Sequence, residues 1–214
     1  MSERNYSILD GFINTIDEHL GACLNPPQQT LRVYPADGVE HSVLSETERR
    51  QSEGFMRVNH AGEVSAQALY KAQALTARDS QVREAMERSA EEEIDHLVWC
   101  EERLRELGGR TSLLGPFWFF GSFTIGSLAG LIGDKWNLGF VVETENQVVS
   151  HLDEHLKQIS ENDLRSRAVL EQMREDEAHH ASVALRAGAK ELPAPVKKVM
   201  QLFSKIMTKA AYWV

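Results

Sequence analysis

Large apolar residues recur every three or four positions through most of this chain, the spacing that places them on one face of a helix. Ile8, Leu9, Phe12, Ile13 and Ile16 predict a short amphipathic helix within residues 6–20, and Pro26-Pro27 ends any continuation. The stretch to Leu44 reads as loop. Ser45 and Glu48 then form a capping-box pattern that opens a long helix reaching about Ala77, with Glu63, Ala66, Gln67, Tyr70 and Ala74 on one side. A second helix, from about Ser80 to Leu107, carries the stripe Val82, Met86, Ser89, Glu93, His96, Leu97, Cys100 and Leu104. Gly108-Gly109 offer the left-handed conformation that closes it. A third, about Asn137 to Ser160, has Val141, Glu145, Val148, Val149, Leu152, Leu156 and Ile159 on its stripe. The fourth, about Asp163 to Ala187, has Ser166, Leu170, Met173, Glu177, His180 and Ala184.

Each of these faces is apolar until a glutamate interrupts it. A buried carboxylate without a partner is too costly to leave alone, so four facing one core imply protons, basic partners or metal. Two of the four belong to Glu-x-x-His pairs, Glu93 with His96 and Glu177 with His180. A three-residue offset in a helix leaves side chains about 60° apart and roughly 4.5 Å apart along the axis, close enough to reach one cation. Composition alone would yield roughly one such pair, so the spacing carries weight only through its placement on the core stripes. One Glu from each of two helices and Glu-x-x-His from each of the others is the ligand set of a two-metal helix bundle. The half-sites are spaced alike, 30 residues from Glu63 to Glu93 and 32 from Glu145 to Glu177, as two related helical hairpins would be. Asp176 and His179 also stand three apart in the fourth helix; the stripe through Leu170, Met173 and Ala184 favours Glu177 and His180. His151 reads either as a structural histidine or as a hydrogen-bond partner of a ligand, and Cys100 as core packing.

Residues 111–133 contain no charge and are long enough to span a bilayer. A single crossing would put Glu63, Glu93 and His96 on one side of the membrane and Glu145, Glu177 and His180 on the other, where they could not share a site. Gly115, Gly121, Gly126, Gly130, Gly133 and Pro116 predict a poor continuous helix. The segment is expected to cross over on the bundle and dip into one leaflet, where it would guide a lipid-like substrate towards the metals. After Pro193 and Pro195, Val196, Val199, Met200, Phe203, Ile206, Met207 and Val214 form one face of a tail helix, with Lys197, Lys198, Lys205 and Lys209 opposite. Such a helix lies in an anionic interface, or is a bundle helix with a solvated lysine face.

The expected fold is therefore all-α: a ferritin-like four-helix bundle with a hydrophobic crossover helix between bundle helices 2 and 3 and a C-terminal amphipathic helix. Residues 1–44 form an N-terminal extension, 45–190 the bundle including crossover 111–133, and 191–214 the basic tail. At 214 residues and 24.1 kDa one domain suffices. A net charge of −9 argues against nucleic-acid binding, although residues 192–214 carry four Lys and no acid. Cys23 and Cys100 make no disulfide framework, which suits a reducing compartment, and Met1 to Leu20 looks like neither a secretory signal nor a transit peptide.

Arg57-Val58-Asn59-His60-Ala61-Gly62-Glu63, the pair Glu93 and His96, Glu145 followed by His151, and Glu177-Ala178-His179-His180 together resemble the demethoxyubiquinone hydroxylases of ubiquinone biosynthesis, over about residues 50–214. The Arg-Val-Asn-His-Ala-Gly-Glu string is the most specific part. The resemblance implies two iron ions per chain held by Glu63, Glu93, His96, Glu145, Glu177 and His180, with Glu93 and Glu177 bridging, and a catalytic role for Glu93, Glu177 and His151. It implies a polyprenyl quinol, hydroxylated with O2 at its free ring carbon by a protein peripheral to the cytoplasmic face of a bacterial cell membrane, and other ubiquinone-biosynthesis proteins as partners. Gly126, Gly130 and Gly133 lack dinucleotide-fingerprint spacing, so electrons come from a reductase partner, from loosely bound NADH, or from the quinol itself. Ligand type does not separate iron from manganese. Beside this di-iron monooxygenase stand two other readings: a ferritin-like ferroxidase or iron store with the same ligands, and a metal-free adaptor bundle.

Overall fold

The computed structural model describes residues 32–214. The helix expected within residues 6–20 lies outside them. Six helices and no strand occur among the described residues: α1 Glu46–Thr76, α2 Ser80–Leu107, α3 Gly115–Ile132, α4 Asp134–Gln158, α5 Leu164–Arg186 and α6 Ala194–Trp213. The expected all-α bundle is present, with α1 paired to α2 and α4 to α5.

Local chemistry sets the helix ends. Ser45 caps α1 through the reciprocal pair with Glu48, and Glu48 also accepts from Ser160 Oγ at 2.6 Å, which ties the α4–α5 turn to the start of α1. Asp79 caps α2, and Gly108, at φ 72°, ends it with Gly109 N–H bonded to the Leu104 carbonyl. Asp134 at the head of α4 accepts from the backbone N–H groups of Arg78 and Asp79, so one carboxylate fixes the α1–α2 turn against the second hairpin.

The apolar crossover is one continuous helix, contrary to the poor helix expected from its glycines. Pro116 falls in the first turn, where a missing N–H leaves nothing unpaired. Gly126 and Gly130 face α1: a Cβ on Gly126 would stand 2.8 Å from the Leu69 carbonyl oxygen, and one on Gly130 would collide with Thr76. Close packing on α1 outweighs the weak helix propensity of glycine. The outer side of α3 leaves Phe117, Leu128, Leu131 and Ile132 exposed.

Helix α6 divides its apolar residues between two sides. Met200, Ser204, Met207 and Ala211 turn towards the bundle, with Met207 Sδ accepting from Ser65, while Val199, Leu202, Phe203 and Ile206 point outward. Trp118 of α3 and Tyr212 of α6 pack with Ala211 over Val58 and Ala61 of α1, so the two exposed apolar helices meet.

Two apolar clusters fill the bundle. One contains Met56, Cys100, Leu104, Leu152, Leu170 and Met173; the other contains Ala66, Met86, Val141 and Ala184. On all four bundle helices the interrupting glutamate lies in sequence between a member of the first cluster and a member of the second. The polar centre is thus sealed at both ends.

Candidate metal centre

Because each carboxylate occupies a core register, folding alone delivers them to one place. Glu63 from α1, Glu93 and His96 from α2 and Glu177 from α5 offer ligand atoms that all lie within 4.8 Å of one another. Glu145 from α4, with Glu177 and His180 from α5, forms a second group on the same limit. Glu177 belongs to both. Glu93 lies 3.0 Å from His96 Nδ1 and 3.5 Å from His180 Nδ1, so it too stands between the histidines. His179 is exposed, which settles the register of α5 in favour of His180.

These six side chains are buried, yet their polar atoms are not all paired. Glu93 Oε1, Glu145 Oε2 and Glu177 Oε1 have no hydrogen bond. Glu177 Oε1 stands 3.1 Å from His96 Nδ1 but outside hydrogen-bond geometry. Buried acceptors of this kind are ordinarily satisfied, and three in one cluster point to a cation as the absent partner.

The titration behaviour has the same cause. Burial, reinforced by Glu93, holds Glu63 well above the usual carboxylate range, and burial with Glu177 does the same to Glu145. Burial also pushes Glu93 and Glu177 up, but His96 and His180 outweigh it and draw both down. For the histidines burial works downward; Glu93 and its neighbours nevertheless raise His96, and hydrogen bonds to Glu177 and Glu93 push His180 up to about 12. The four carboxylates thus divide into two kinds, Glu63 and Glu145 drawn towards the protonated form and Glu93 and Glu177 towards the ionised form beside the two imidazoles.

The outer nitrogens are braced across the bundle. His96 Nε2 lies 3.0 Å from Asp176 Oδ2 of α5, and His180 Nε2 lies 2.6 Å from Glu92 Oε2 of α2. A carboxylate oxygen accepts from Nε2–H, which leaves Nδ1 of each histidine facing the cluster, where it could bind a cation. Tyr70 of α1 donates its buried hydroxyl to Glu145. The sequence reading missed these supports, although both helices repeat one pattern, acid-Glu-x-x-His, in Glu92-Glu93 and Asp176-Glu177.

His151 is not brought into this cluster. It bonds Ser204 Oγ of α6 at 2.7 Å and lies beside His155. Part of the Arg57-to-Gly62 string meets the tail: Arg57 donates to the carbonyls of Tyr212 at 2.7 Å and Arg110 at 3.0 Å, and Val58 and Ala61 pack with Ala211.

Residues 50–211 match the family described as "Ubiquinone biosynthesis protein COQ7". The chain is 57% identical over 214 residues to a protein of Nitrosococcus oceani named 3-demethoxyubiquinol 3-hydroxylase, covering 100% of both chains. It is 52% identical over 206 residues to one of the same name from Nitrosomonas europaea, covering 96% of this chain and 99% of that one. A third, from Legionella pneumophila strain Paris, is 50% identical over 212 residues, 99% and 100% of the two chains.

Proposed function

The chain belongs to the family of the ubiquinone biosynthesis protein COQ7, and from that premise we propose that it is a di-iron 3-demethoxyubiquinol 3-hydroxylase. It takes a polyprenylated methoxy-methyl-benzoquinol, O2, two electrons and two protons, and yields the ring-hydroxylated quinol and water. The observation that carries this reading is the pair of buried ligand groups sharing Glu177, with three carboxylate oxygens unpaired.

Glu63, Glu93 and His96 would hold one iron, Glu145 and His180 the other, with Glu177 and Glu93 between them. When bound, the irons supply the reduction of O2 to an oxidant able to hydroxylate a ring carbon. The protein's own part is positional. Asp176 and Glu92 keep Nδ1 of each histidine turned inward, Tyr70 fixes Glu145, and the apolar clusters at either end keep water from the centre. Electrons come from a reductant outside the chain. His151, which bonds Ser204 of α6, is given no part in holding the irons in this reading.

Helix α3, long and apolar enough by composition to cross a membrane, instead lies along α1, and with the outward face of α6 it offers a surface for the cytoplasmic leaflet. Monotopic attachment there brings the isoprenoid tail beside the bundle.

The test is anaerobic reduction of the iron-loaded protein followed by O2 and a demethoxy quinol, with product counted per chain. Hydroxylated quinol in proportion to occupied two-iron sites is expected. Oxidised iron with unchanged quinol would make the protein a ferroxidase and end this reading.

A further inference from the structure

The two histidines are braced alike but held unequally. Glu92, the brace of His180, has a side chain 48% exposed, and its hydrogen bond among the described residues is to that histidine. Asp176, the brace of His96, is 18% exposed and takes three further donors. Arg32 reaches it through one terminal nitrogen at 2.6 Å and the other at 3.2 Å, and Gln172 Nε2 at 3.1 Å. The Arg32 guanidinium also stands over Trp99, 4.8 Å from the ring centroid, and that ring lies 5.3 Å from the His96 ring. One cation ahead of α1 thus touches two supports of His96, from outside the residues that match the family.

We propose that Arg32 is a positioning residue that locks Asp176 onto Nε2 of His96 and so makes the Glu63–Glu93–His96–Glu177 group the tighter, first-filled cation site. This rests on the reading of the cluster as a metal centre. A brace held by three further donors has little freedom left to lose when a cation draws its histidine into line, whereas the half-exposed Glu92, held by its one bond to His180 among the described residues, has more. Removing such an outer partner changes metal affinity about 10- to 100-fold, and loosening it falls at the lower end. The positive charge of Arg32 opposes a cation, but its side chain is 40% exposed and the Asp176 carboxylate lies between it and the ligands. Solvent screens that repulsion more than it weakens the fixed geometry.

The experiment is anaerobic calorimetric titration of the metal-free, full-length chain with Fe2+ in two backgrounds. Glu145→Gln leaves the His96 group intact, and Glu63→Gln leaves the His180 group. In the Glu145→Gln background, Arg32→Met is expected to weaken binding about tenfold, with Arg32→Lys, which keeps the charge but not the paired donors, in between. In the Glu63→Gln background the same change should have an effect below about twofold. Circular-dichroism melting checks that each variant is folded. Equal weakening in both backgrounds, no weakening in the first, or tighter binding there would overturn the clamp. Failure of the unsubstituted chain to take up Fe2+ would instead overturn the metal reading itself, and the clamp with it.

Discussion

Where α2 nears its closing turn, Arg103 and Arg165 meet Glu106 and Asp163; in the middle of the bundle, the basic groups that face Glu63, Glu93, Glu145 and Glu177 among the described residues are His96 and His180. Both clusters are largely buried, and they solve the cost of buried charge differently. In the first, two guanidiniums face two carboxylates. Arg103 donates to Ser166 Oγ at 2.7 Å, Glu106 at 2.6 Å and Asp163 at 2.8 Å. Arg165 donates to Glu106 and to the carbonyls of Ala36 and Val39. Only Asp163 Oδ2 is left unpaired there. The second cluster has a carboxylate excess and three orphan oxygens. A protein that needed only stability would finish the second cluster as it finished the first; leaving it open is what a cation site requires.

The largest separation between the clusters should come from deleting Glu177, the carboxylate common to both candidate ligand groups. Glu177→Ala is expected to abolish quinol hydroxylation down to the metal-free background and to remove tight iron binding, because both ligand groups lose a member. Its metal-free melting temperature should move by only a few degrees, since His96 and His180 can release the protons that Glu177 helped them hold. Full hydroxylase activity in this variant would take Glu177 out of the centre.

Arg103→Ala should do the reverse. It strands Asp163, whose side chain is 1% exposed, without its cation. Breaking a buried pair in this way costs about 3–5 kcal/mol, on the order of 10 °C in a chain of this size. Iron bound per folded chain should stay as in the unsubstituted protein. Loss of iron at unchanged stability would mean that the two clusters are coupled and the contrast between them is wrong.

The glutamate centre was legible in the sequence and the arginine cluster was not, and what was missed has physical reasons. The helix registers came from apolar spacing, and because a carboxylate on a core stripe has nowhere else to go, Glu63, Glu93, Glu145 and Glu177 followed. The braces did not follow, because Glu92 and Asp176 sit beside the ligands on their own helices and act only on the opposite hairpin. Arg32 acts from a loop with no periodicity to place it. The α3 helix was misjudged because glycine propensity is local, while the groove on α1 that Gly126 and Gly130 fill is tertiary. For α6 the single apolar face read from the sequence is divided: one side docks on the bundle and the other stays apolar and open.

A third way of burying an ionisable group is found on α4, and it sharpens the comparison with a smaller effect. His155 of α4 is buried against Phe55 of α1, their rings stacked 4.4 Å apart, and its Nδ1 has no partner. Burial, with His151 beside it, lowers its pKa to about 4, so the folded protein holds it neutral. In the unfolded chain it titrates near the ordinary 6.5. Above that pH neither state binds the proton. Between about 6.5 and 4 the unfolded state binds it and the folded state does not, so acid drains stability by up to about 3 kcal/mol. His155→Phe keeps a ring against Phe55 and should remove that part of the acid loss. The check is to subtract the stability–pH curve of the variant from that of the unsubstituted metal-free protein: every other ionisable group is common to both, so those contributions cancel. A difference that grows as pH falls from 6.5 to 4 is expected. Parallel curves would mean that His155 gains a proton acceptor on folding and is paired after all, as the Arg103 cluster is.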